Sequence, residues 1–223
     1  MKIVPYHHRS PAEFLLERVT EVYEKKGNVS LAVPGGRSPG PVVRILAGLI
    51  GPALRKSIHL FWVDERAVPP GHPDRNDRSI LEDWKRGGEA PDHCYPMPAE
   101  AGDLKKAALD YAGLIEKITG DGIIDVCLLG VGEDGHIASL FPDHPLLEAT
   151  GTVLAVFDSP KPPPRRMTLS LPAINRAGWR IILAPGAEKR KVYEKSLRYP
   201  DPSLPVSLLQ AGNTIWFVDN AIS

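Results

Sequence analysis

The stretch DVCLLGVGEDGHIASLFP, residues 125–142, joins an apolar run to a glycine-rich loop that leads into His136. Most of the side chains in Asp125–Val131 are apolar at consecutive positions, which is typical of a strand buried on both faces of a parallel sheet. In open parallel sheets, the loops at the carboxyl ends of strands build the ligand site. The stretch therefore predicts an α/β fold with a polar site directly after this strand.

Outside this stretch, short runs rich in Val, Ile and Leu alternate with helical segments. This alternation predicts an open, mostly parallel sheet with helices on both faces, formed as a single domain over residues 1–223. The other strands are predicted at Lys2–Val4, Val29–Val33, Ile58–Val63, Thr152–Phe157, Met167–Leu171, Arg180–Ala184 and Thr214–Val218.

Helix start signals precede two of the predicted helices. Ser10, Pro11 and Glu13 combine an N-cap, a first-turn proline and a capping-box glutamate, and Ser38-Pro39 repeats the first two signals. Segment 68–77 is instead predicted to be an irregular loop. The predicted helices span residues 11–26, 39–49, 103–118 and 187–197.

The composition restricts the class of protein. Of 223 residues, 43% are hydrophobic and 24% are charged, which is typical of a globular chain, and the net charge is +0. A nucleic-acid partner is not expected without a basic excess. No apolar run reaches the roughly 18 residues of a membrane span, and the N-terminal segment has no signal core. Two cysteines, Cys94 and Cys127, do not suggest disulfides or a zinc site, so we expect a cytoplasmic protein without a metal.

The loop glycines Gly130, Gly132 and Gly135 match the dinucleotide-binding pattern G-x-G-x-x-G, and a predicted strand ends at Asp158, where a ribose-binding acid is expected. Two prolines interrupt the segment that would have to be a helix, at a cost of about 3 kcal/mol each. Two acids also stand where the pyrophosphate would lie. We therefore reject the dinucleotide interpretation. The prolines are Pro142 and Pro145, and the acids are Glu133 and Asp134.

The alternative interpretation is that the glycines allow a sharp turn, which exposes His136 at the start of a short helix. A histidine titrates near neutral pH and is therefore suited to proton transfer. The competing interpretation is a histidine that caps the helix or forms the wall of a cleft.

A second glycine loop lies in LAVPGGRSPG, residues 31–40, between a predicted strand and a predicted helix. The amides of Gly35 and Gly36 can approach a ligand closely, and Ser38 can donate a hydroxyl hydrogen bond. A helix N-terminus follows, so the loop predicts a site for a small anion such as phosphate. The competing interpretation is an ordinary tight turn.

A phosphate monoester carries about −1.5 to −2 charges at neutral pH, so it needs cations in addition to a helix terminus. The candidates are Arg37, Arg166 and Lys189. Lys189 falls in the first turn of a predicted helix, where a cation opposes the helix dipole, which suggests that it serves an anion. The competing interpretation is a solvated charged turn.

The predicted strand Ile58–Val63 leads directly into Asp64, Glu65 and Arg66, and Asn76 follows further along. The arginine can donate to a carbonyl or carboxylate, and the neighbouring acids can fix its orientation. The competing interpretation is a surface salt-bridge cluster, which would contribute little.

Taken in chain order, these segments resemble the 6-phosphogluconolactonase family. The resemblance rests on VPGGRSP, FWVDER, LLGVGEDGHIASLFP, RMTLSLPAIN and GAEK, which cover residues 34–189. Arg37 departs from the family pattern, where a small hydroxyl residue is common. Arg75 and Asp77 depart where serine and tyrosine are usual.

The resemblance implies the fold shared by glucosamine-6-phosphate deaminases, ribose-5-phosphate isomerases and CoA-transferase-like proteins. It also implies hydrolysis of 6-phospho-D-glucono-1,5-lactone in the pentose phosphate pathway, without a cofactor or metal, and a sugar-phosphate lactone as the small-molecule partner. His136 would be the general base, and Arg66 would stabilise the developing oxyanion or the product carboxylate, with Asp64 and Asn76 contacting sugar hydroxyls or orienting Arg66. The residues implied for the phosphate are Gly35, Gly36, Arg37, Ser38, Arg166 and Lys189.

Two other functions compete. A glucosamine-6-phosphate deaminase would have a tyrosine at the position of Arg66, and Phe-Asn-Glu-Pro in the region where this chain has Ser-Leu-Phe-Pro, residues 139–142. A non-catalytic sugar-phosphate sensor would keep the anion site and lose His136. Both comparisons favour the lactonase.

Overall fold

The computed structural model describes residues 2–5 and 9–219 and contains two sheets. Seven strands form a wholly parallel central sheet, and three form a small antiparallel sheet. The predicted α/β fold and mostly parallel sheet are confirmed. The strands are β1 (Lys2–Pro5), β2 (Val29–Val33), β3 (Ile58–Trp62), β4 (Asp64–Arg66), β5 (His93–Tyr95), β6 (Val126–Gly130), β7 (Val153–Val156), β8 (Arg166–Leu169), β9 (Trp179–Ala184) and β10 (Thr214–Val218).

Helices flank the central sheet, and the four predicted helices are confirmed to within two residues at each end. Ser10 caps the first helix by accepting from the Glu13 amide, and Gly27 ends it in the left-handed conformation. Two short 3₁₀ helices occur at Pro145–Glu148 and Pro205–Leu208. The helices are α1 (Pro11–Lys26), α2 (Pro39–Leu49), α3 (Pro52–Ser57), α4 (Asn76–Gly87), α5 (Leu104–Thr119), α6 (Leu171–Arg176) and α7 (Ala187–Ser196).

The strand order places the site at the centre of the large sheet. The order is β1-β10-β9-β6-β2-β3-β5, so β2 and β6 are neighbours. The chain leaves β2 toward β3 on one side and leaves β6 toward β9 on the other. Connections that diverge from adjacent parallel strands open a crevice at their carboxyl ends, where α/β proteins bind ligands. The loops after β2 and β6 are the two glycine loops of the sequence.

The small sheet has the order β4-β8-β7 and brings distant parts of the chain to the same crevice. Strands β7 and β8 were expected at these positions, but the pattern of apolar residues did not indicate that they leave the main sheet. β4 pairs with β8 in antiparallel register, which places Arg66 opposite Arg166 and Asp64 opposite Thr168.

Helix α4 begins at Asn76, where the sequence predicted a loop over residues 68–77. Its N-cap is Arg75, which makes no side-chain capping bond. The Glu65 carboxylate instead accepts from the amides of Asn76 and Asp77, both at 2.8 Å. The start of the helix is therefore stabilised by a residue eleven positions away, which a local capping pattern cannot reveal. The elements β5, α3 and α6 were also not predicted. Nor was β4: Asp64–Arg66 was expected at the tip of the strand Ile58–Val63, but β3 ends at Trp62 and β4 belongs to the small sheet.

The prediction that a short helix begins at His136 is wrong. Residues 131–142 form a turn held by isolated bridges that pair Ile137 with Val131 and with Leu140. The turn has positive φ at Gly135 (81°) and Ala138 (50°). The glycine-rich segment therefore makes the predicted sharp turn, but a compact loop and not a helix carries His136. Without that helix, the dinucleotide interpretation also lacks its pyrophosphate-binding element.

The core is one cluster of buried apolar residues to which both sheets contribute, including Leu31, Leu60, Val153 and Leu169. The large sheet is therefore a packed support beneath the loops at its carboxyl edge. In the part of the chain that the structure describes, no helix is long and apolar enough to cross a membrane.

Candidate active site

A cavity of about 360 Å³ lies between the loops after β2 and β6. Five cationic side chains line it, against two carboxylates, Asp64 and Glu133, so the crevice of a chain with no net charge is itself positive. All ten residues proposed from the sequence line it, namely Gly35, Gly36, Arg37, Ser38, Asp64, Arg66, Asn76, His136, Arg166 and Lys189.

The loop after β2 has the conformation that its two glycines allow. Gly36 has φ of 103°, which a residue with a side chain rarely adopts. A Cβ atom at Gly35 would overlap the side chain of Asn76, so this glycine makes room for α4. Pro39 and Pro41 remove two amides from the first turn of α2. The loop amides and nearby cations are therefore the main donors for an anion here.

Lys189 reaches this loop from the first turn of α7. Its ammonium donates to the Ser38 hydroxyl at 3.1 Å, and Ser38 makes no side-chain capping bond to α2. Burial lowers the pKa of Lys189, the Arg37 cation lowers it further, and Glu133 opposes the shift. A bound anion would offset the repulsion between Lys189 and Arg37, and this is the behaviour expected of a phosphate site.

Arg166 is 4% exposed and lines the cavity. Its Nε donates to Pro163 O at 3.0 Å, and its Nη2 donates to Lys161 O and Pro162 O at 2.9 and 3.0 Å. Nη1 lies 3.4 Å from Ser139 Oγ. Burial lowers the pKa of this guanidinium. Arg166 thus organises the loop between β7 and β8, and only one of its five N–H groups is left for a ligand.

Asp64 is 5% exposed and fixed by two side chains. Its Oδ2 accepts from Ser139 Oγ at 2.7 Å, and its Oδ1 lies 3.2 Å from the Asn76 amide nitrogen. The same Asn76 nitrogen donates to Asp64 O at 2.8 Å. Both residues are therefore held rigidly at the cavity wall, in position to contact hydroxyl groups of a ligand.

Glu65 does not line the cavity but supports residues that do. Its side chain is fully buried and accepts the amides of Arg66 (2.7 Å), Asn76 and Asp77 (both 2.8 Å). Burial raises the pKa of Glu65 to about 7, although these three amides and Arg75 oppose the shift. Arg66 donates from Nη1 to Asp74 O at 2.6 Å, and this places its guanidinium at the cavity.

Arg75 and Asp77, two departures from the family pattern, belong to one ionic cluster around the buried guanidinium of Arg75. Arg75 is 3% exposed and pairs with Asp77 at 2.6 Å, Glu100 at 2.7 Å and Glu65 at 3.6 Å. It also donates to Met97 O at 3.2 Å. Neither residue lines the cavity, so the two departures stabilise the start of α4 and do not form the ligand surface.

His136 forms a pair with Asp134, which sequence reasoning treated only as an obstacle to a pyrophosphate. His136 Nδ1 lies 2.5 Å from Asp134 Oδ1, and the imidazole stacks on Phe141 with ring centroids 4.9 Å apart. A Cβ atom at Gly132 would overlap this pair, which explains the second glycine of the motif. Burial raises the pKa of Asp134, but hydrogen bonds to His136 and Lys161 lower it by more, to well below its ordinary value.

An ionised Asp134 accepts a hydrogen bond, so His136 donates from Nδ1 and its Nε2 is free to accept a proton. A carboxylate that fixes the tautomer and stabilises the imidazolium is the arrangement used by general-base histidines. The Asp-x-His spacing across a glycine turn is the sequence signal that could have revealed this pair.

Lys161 is a further charged residue to which the sequence assigned no role in the site. It lies on the loop between β7 and β8, lines the cavity, and pairs with Asp134 Oδ2 at 2.8 Å. Local sequence could not show this contact, since the two residues meet only through the fold.

Neither cysteine lines the cavity. Burial raises the pKa of Cys127 to about 12 and that of Cys94 to about 11, so both thiols are poorly suited to act as nucleophiles. The chemistry that this arrangement supports is proton transfer at a cation-lined cavity.

Comparison with known proteins assigns the chain to a family. Residues 7–216 match the model of the family described as glucosamine-6-phosphate isomerases/6-phosphogluconolactonase. The chain therefore belongs to this family of sugar-phosphate enzymes.

The similar curated proteins include 6-phosphogluconolactonases. That of Mycobacterium tuberculosis is 37% identical over 87% of this chain and 83% of its own length. The 6-phosphogluconolactonase of Rattus norvegicus is 34% identical over 95% of this chain and 86% of its own length. Among solved structures, a 6-phosphogluconolactonase from Thermotoga maritima aligns with a TM-score of 0.85 and 28% identity, covering 98% of this chain and 99% of that one.

A monomeric glucosamine-6-phosphate deaminase also aligns, with a TM-score of 0.78 and 19% identity, and covers 99% of this chain and 98% of the deaminase. At this identity, the likeness shows a common fold.

Proposed function

We propose that this protein is a 6-phosphogluconolactonase, which hydrolyses 6-phospho-D-glucono-1,5-lactone to 6-phosphogluconate in the oxidative pentose phosphate pathway. The observation that carries the proposal is the Asp134–His136 pair at a cavity lined by five cations. The cations suit a phosphorylated substrate, and the histidine suits activation of water. Its relatives among the lactonases support the same assignment.

His136 acts as the general base. Its Nε2 takes a proton from a water molecule as the water oxygen attacks C1 of the lactone, and Asp134 stabilises the imidazolium that forms. As the tetrahedral intermediate collapses, the bond between C1 and the ring oxygen breaks and His136 returns the proton to that oxygen. A lactone is an activated ester, so this route needs no covalent nucleophile.

Arg66 stabilises the oxyanion that develops on the carbonyl oxygen, because its guanidinium is held at the cavity by Asp74 and by the Glu65-bound backbone. Asp64 and Asn76 bind sugar hydroxyls from their fixed positions.

The phosphate is bound by the β2 loop and the cations around it, which fixes C1 relative to His136. The proposed phosphate ligands are Gly35, Gly36, Arg37, Ser38, Arg166 and Lys189.

The enzyme works on a small molecule and needs no nucleic-acid partner or cofactor in this proposal. A cytoplasmic location is also proposed, although a similar rice protein is named as chloroplastic.

The test compares lactone hydrolysis and glucosamine 6-phosphate deamination in one preparation of the protein. We expect hydrolysis well above the spontaneous rate and no deamination. The unphosphorylated gluconolactone should be a poor substrate, because it cannot use the cations of the cavity. Deamination without lactone hydrolysis would overturn the proposal, and equal use of both lactones would overturn the phosphate assignment.

A further inference from the structure

The loop between β7 and β8 places a cation beside the histidine–carboxylate pair. Lys161 Nζ lies 2.8 Å from Asp134 Oδ2 and 3.2 Å from His136 Nδ1. Asp134 thus has one oxygen on the imidazole and the other on the ammonium. The lysine side chain is 45% exposed and lines the cavity, so its position is set by these contacts and not by burial.

The backbone around Lys161 is held by the buried guanidinium of Arg166. This side chain donates to the carbonyl oxygens of Lys161, Pro162 and Pro163. The hydroxyl of Ser159 accepts from the Lys161 amide at 3.2 Å and donates to its carbonyl at 2.8 Å. A lysine on a loop fixed at so many points delivers its charge to a defined place.

The two charges that contact His136 act in opposite directions. The Asp134 carboxylate favours protonation of the imidazole, and the Lys161 ammonium disfavours it. A general base must be unprotonated to accept a proton from water, so an uncompensated carboxylate would hinder the first step. The other charged groups that face the same cavity are Arg37, Asp64, Arg66, Glu133, Arg166 and Lys189.

We propose that Lys161 is a positioning residue of the reaction: its ammonium fixes Asp134 against His136 and keeps the imidazole unprotonated before water attacks. The kinetic part of this proposal rests on the proposed lactonase function. The part that concerns the ionisation of His136 does not.

The experiment compares the wild type with Lys161→Met, Lys161→Arg and Lys105→Met. Lys105 is a matched control, because it is an exposed lysine whose ammonium lies 5.9 Å from the Phe157 ring and it does not line the cavity. Two quantities are measured for each protein. The first is the pH profile of kcat/KM for the lactone, corrected for spontaneous hydrolysis. The second is the NMR titration of the His136 ring, assigned by its absence in His136→Asn.

We expect the acid limb of the profile and the ring titration to move together in Lys161→Met, to higher pH by about one unit. The direction follows because loss of the ammonium leaves the Asp134 charge uncompensated. Lys161→Arg and Lys105→Met should remain near the wild type, since the first retains the cation and the second leaves the site intact.

An unchanged ring titration in Lys161→Met would overturn the proposal, even if KM rose, because Lys161 would then serve only to bind substrate. If the wild type failed to hydrolyse the lactone, the proposed function would fail, and the ring titration alone would still decide the role of Lys161.

Discussion

The two sheets of this protein bury different kinds of side chain. The central strands of the large sheet bury mainly apolar groups, such as Leu31 and Leu60, which are fully inaccessible. The small sheet, by contrast, buries Glu65 completely and leaves Asp64 and Arg166 only 5% and 4% exposed. Burial of apolar groups stabilises the fold whatever their orientation, whereas buried charged groups must be paired with partners in a fixed geometry. The difference teaches that the large sheet supplies the apolar support on which the loops after β2 and β6 rest, and that the small sheet adds charged wall residues to the same cavity in fixed geometry.

The largest expected effect lies on the site side of this comparison. His136→Asn should lower kcat by about 10²–10⁴-fold, the range typical of losing a positioned base. Binding of 6-phosphogluconate, measured by calorimetry, should change little, because the phosphate contacts remain. His144→Asn is the matched control: His144 also pairs with a carboxylate, Asp158 at 2.9 Å, but lies outside the cavity lining. Comparable losses in both variants would contradict the assignment.

The second-largest expected effect is on the stability of the large sheet. Leu60→Ala in the large sheet should lower the free energy of unfolding by about 2–5 kcal/mol, because it removes fully buried methyl groups and leaves a cavity. Chemical denaturation measures this change. The kcat of the folded fraction should stay within a few-fold of the wild type. Leu109→Ala, at a side chain that is 71% exposed, is the control and should have almost no effect.

Glu65→Gln should affect both properties, because Glu65 supports the site from within the small sheet. The amide group of glutamine cannot accept all three backbone N–H bonds, and one unmet buried donor costs about 1–3 kcal/mol. We expect this loss in unfolding free energy together with a lower kcat/KM, as Arg66 and Asn76 shift. Glu82→Gln, on the exposed side of α4, should change neither.

The pH dependence of stability gives a separate test of Glu65. Burial raises the pKa of its carboxyl from 4.5 to about 7. A raised value means that this group's contribution to stability is present below about pH 4.5 and is lost as the pH rises through about 7. The difference in unfolding free energy between wild type and Glu65→Gln should therefore shrink between pH 5 and pH 8. A constant difference across this range would show that Glu65 stays ionised in the folded protein.

The smallest expected effect concerns the phosphate contacts. Lys189→Ala should raise KM for the phosphorylated lactone by roughly tenfold, about 1.4 kcal/mol, with a smaller change in kcat. KM for the unphosphorylated lactone should not change. Lys191→Ala, on the exposed side of the same helix and paired with Glu188, is the control. An equal rise in KM for both lactones would place Lys189 away from the phosphate.

Local sequence predicted the parts of the fold that local interactions determine. The capped helix that starts at Pro11 and the buried strand Val126–Gly130 are examples, since each has its own start signal or apolar run. The start of α4 was not predictable in this way, because Glu65 caps it from another strand.

The same limit applies to the site. The motifs placed all ten proposed residues around one cavity, because loops at the carboxyl ends of neighbouring parallel strands converge. They did not reveal the Asp134–His136 pair or the Lys161 contact. The first depends on a turn with positive φ at Gly135, and the second on a loop folded around Arg166.

The central claim is that His136 is the general base, and the pH dependence of kcat in wild type and His136→Asn tests it most directly. In the wild type, kcat should fall as the pH is lowered, because a protonated imidazole cannot accept a proton from water. The variant's residual rate, after subtraction of spontaneous hydrolysis, should lack this acid limb. An intact acid limb in a variant that retains most of the wild-type rate would contradict the account and assign the proton transfer to another group, with Asp64 in the cavity wall as the candidate carboxylate.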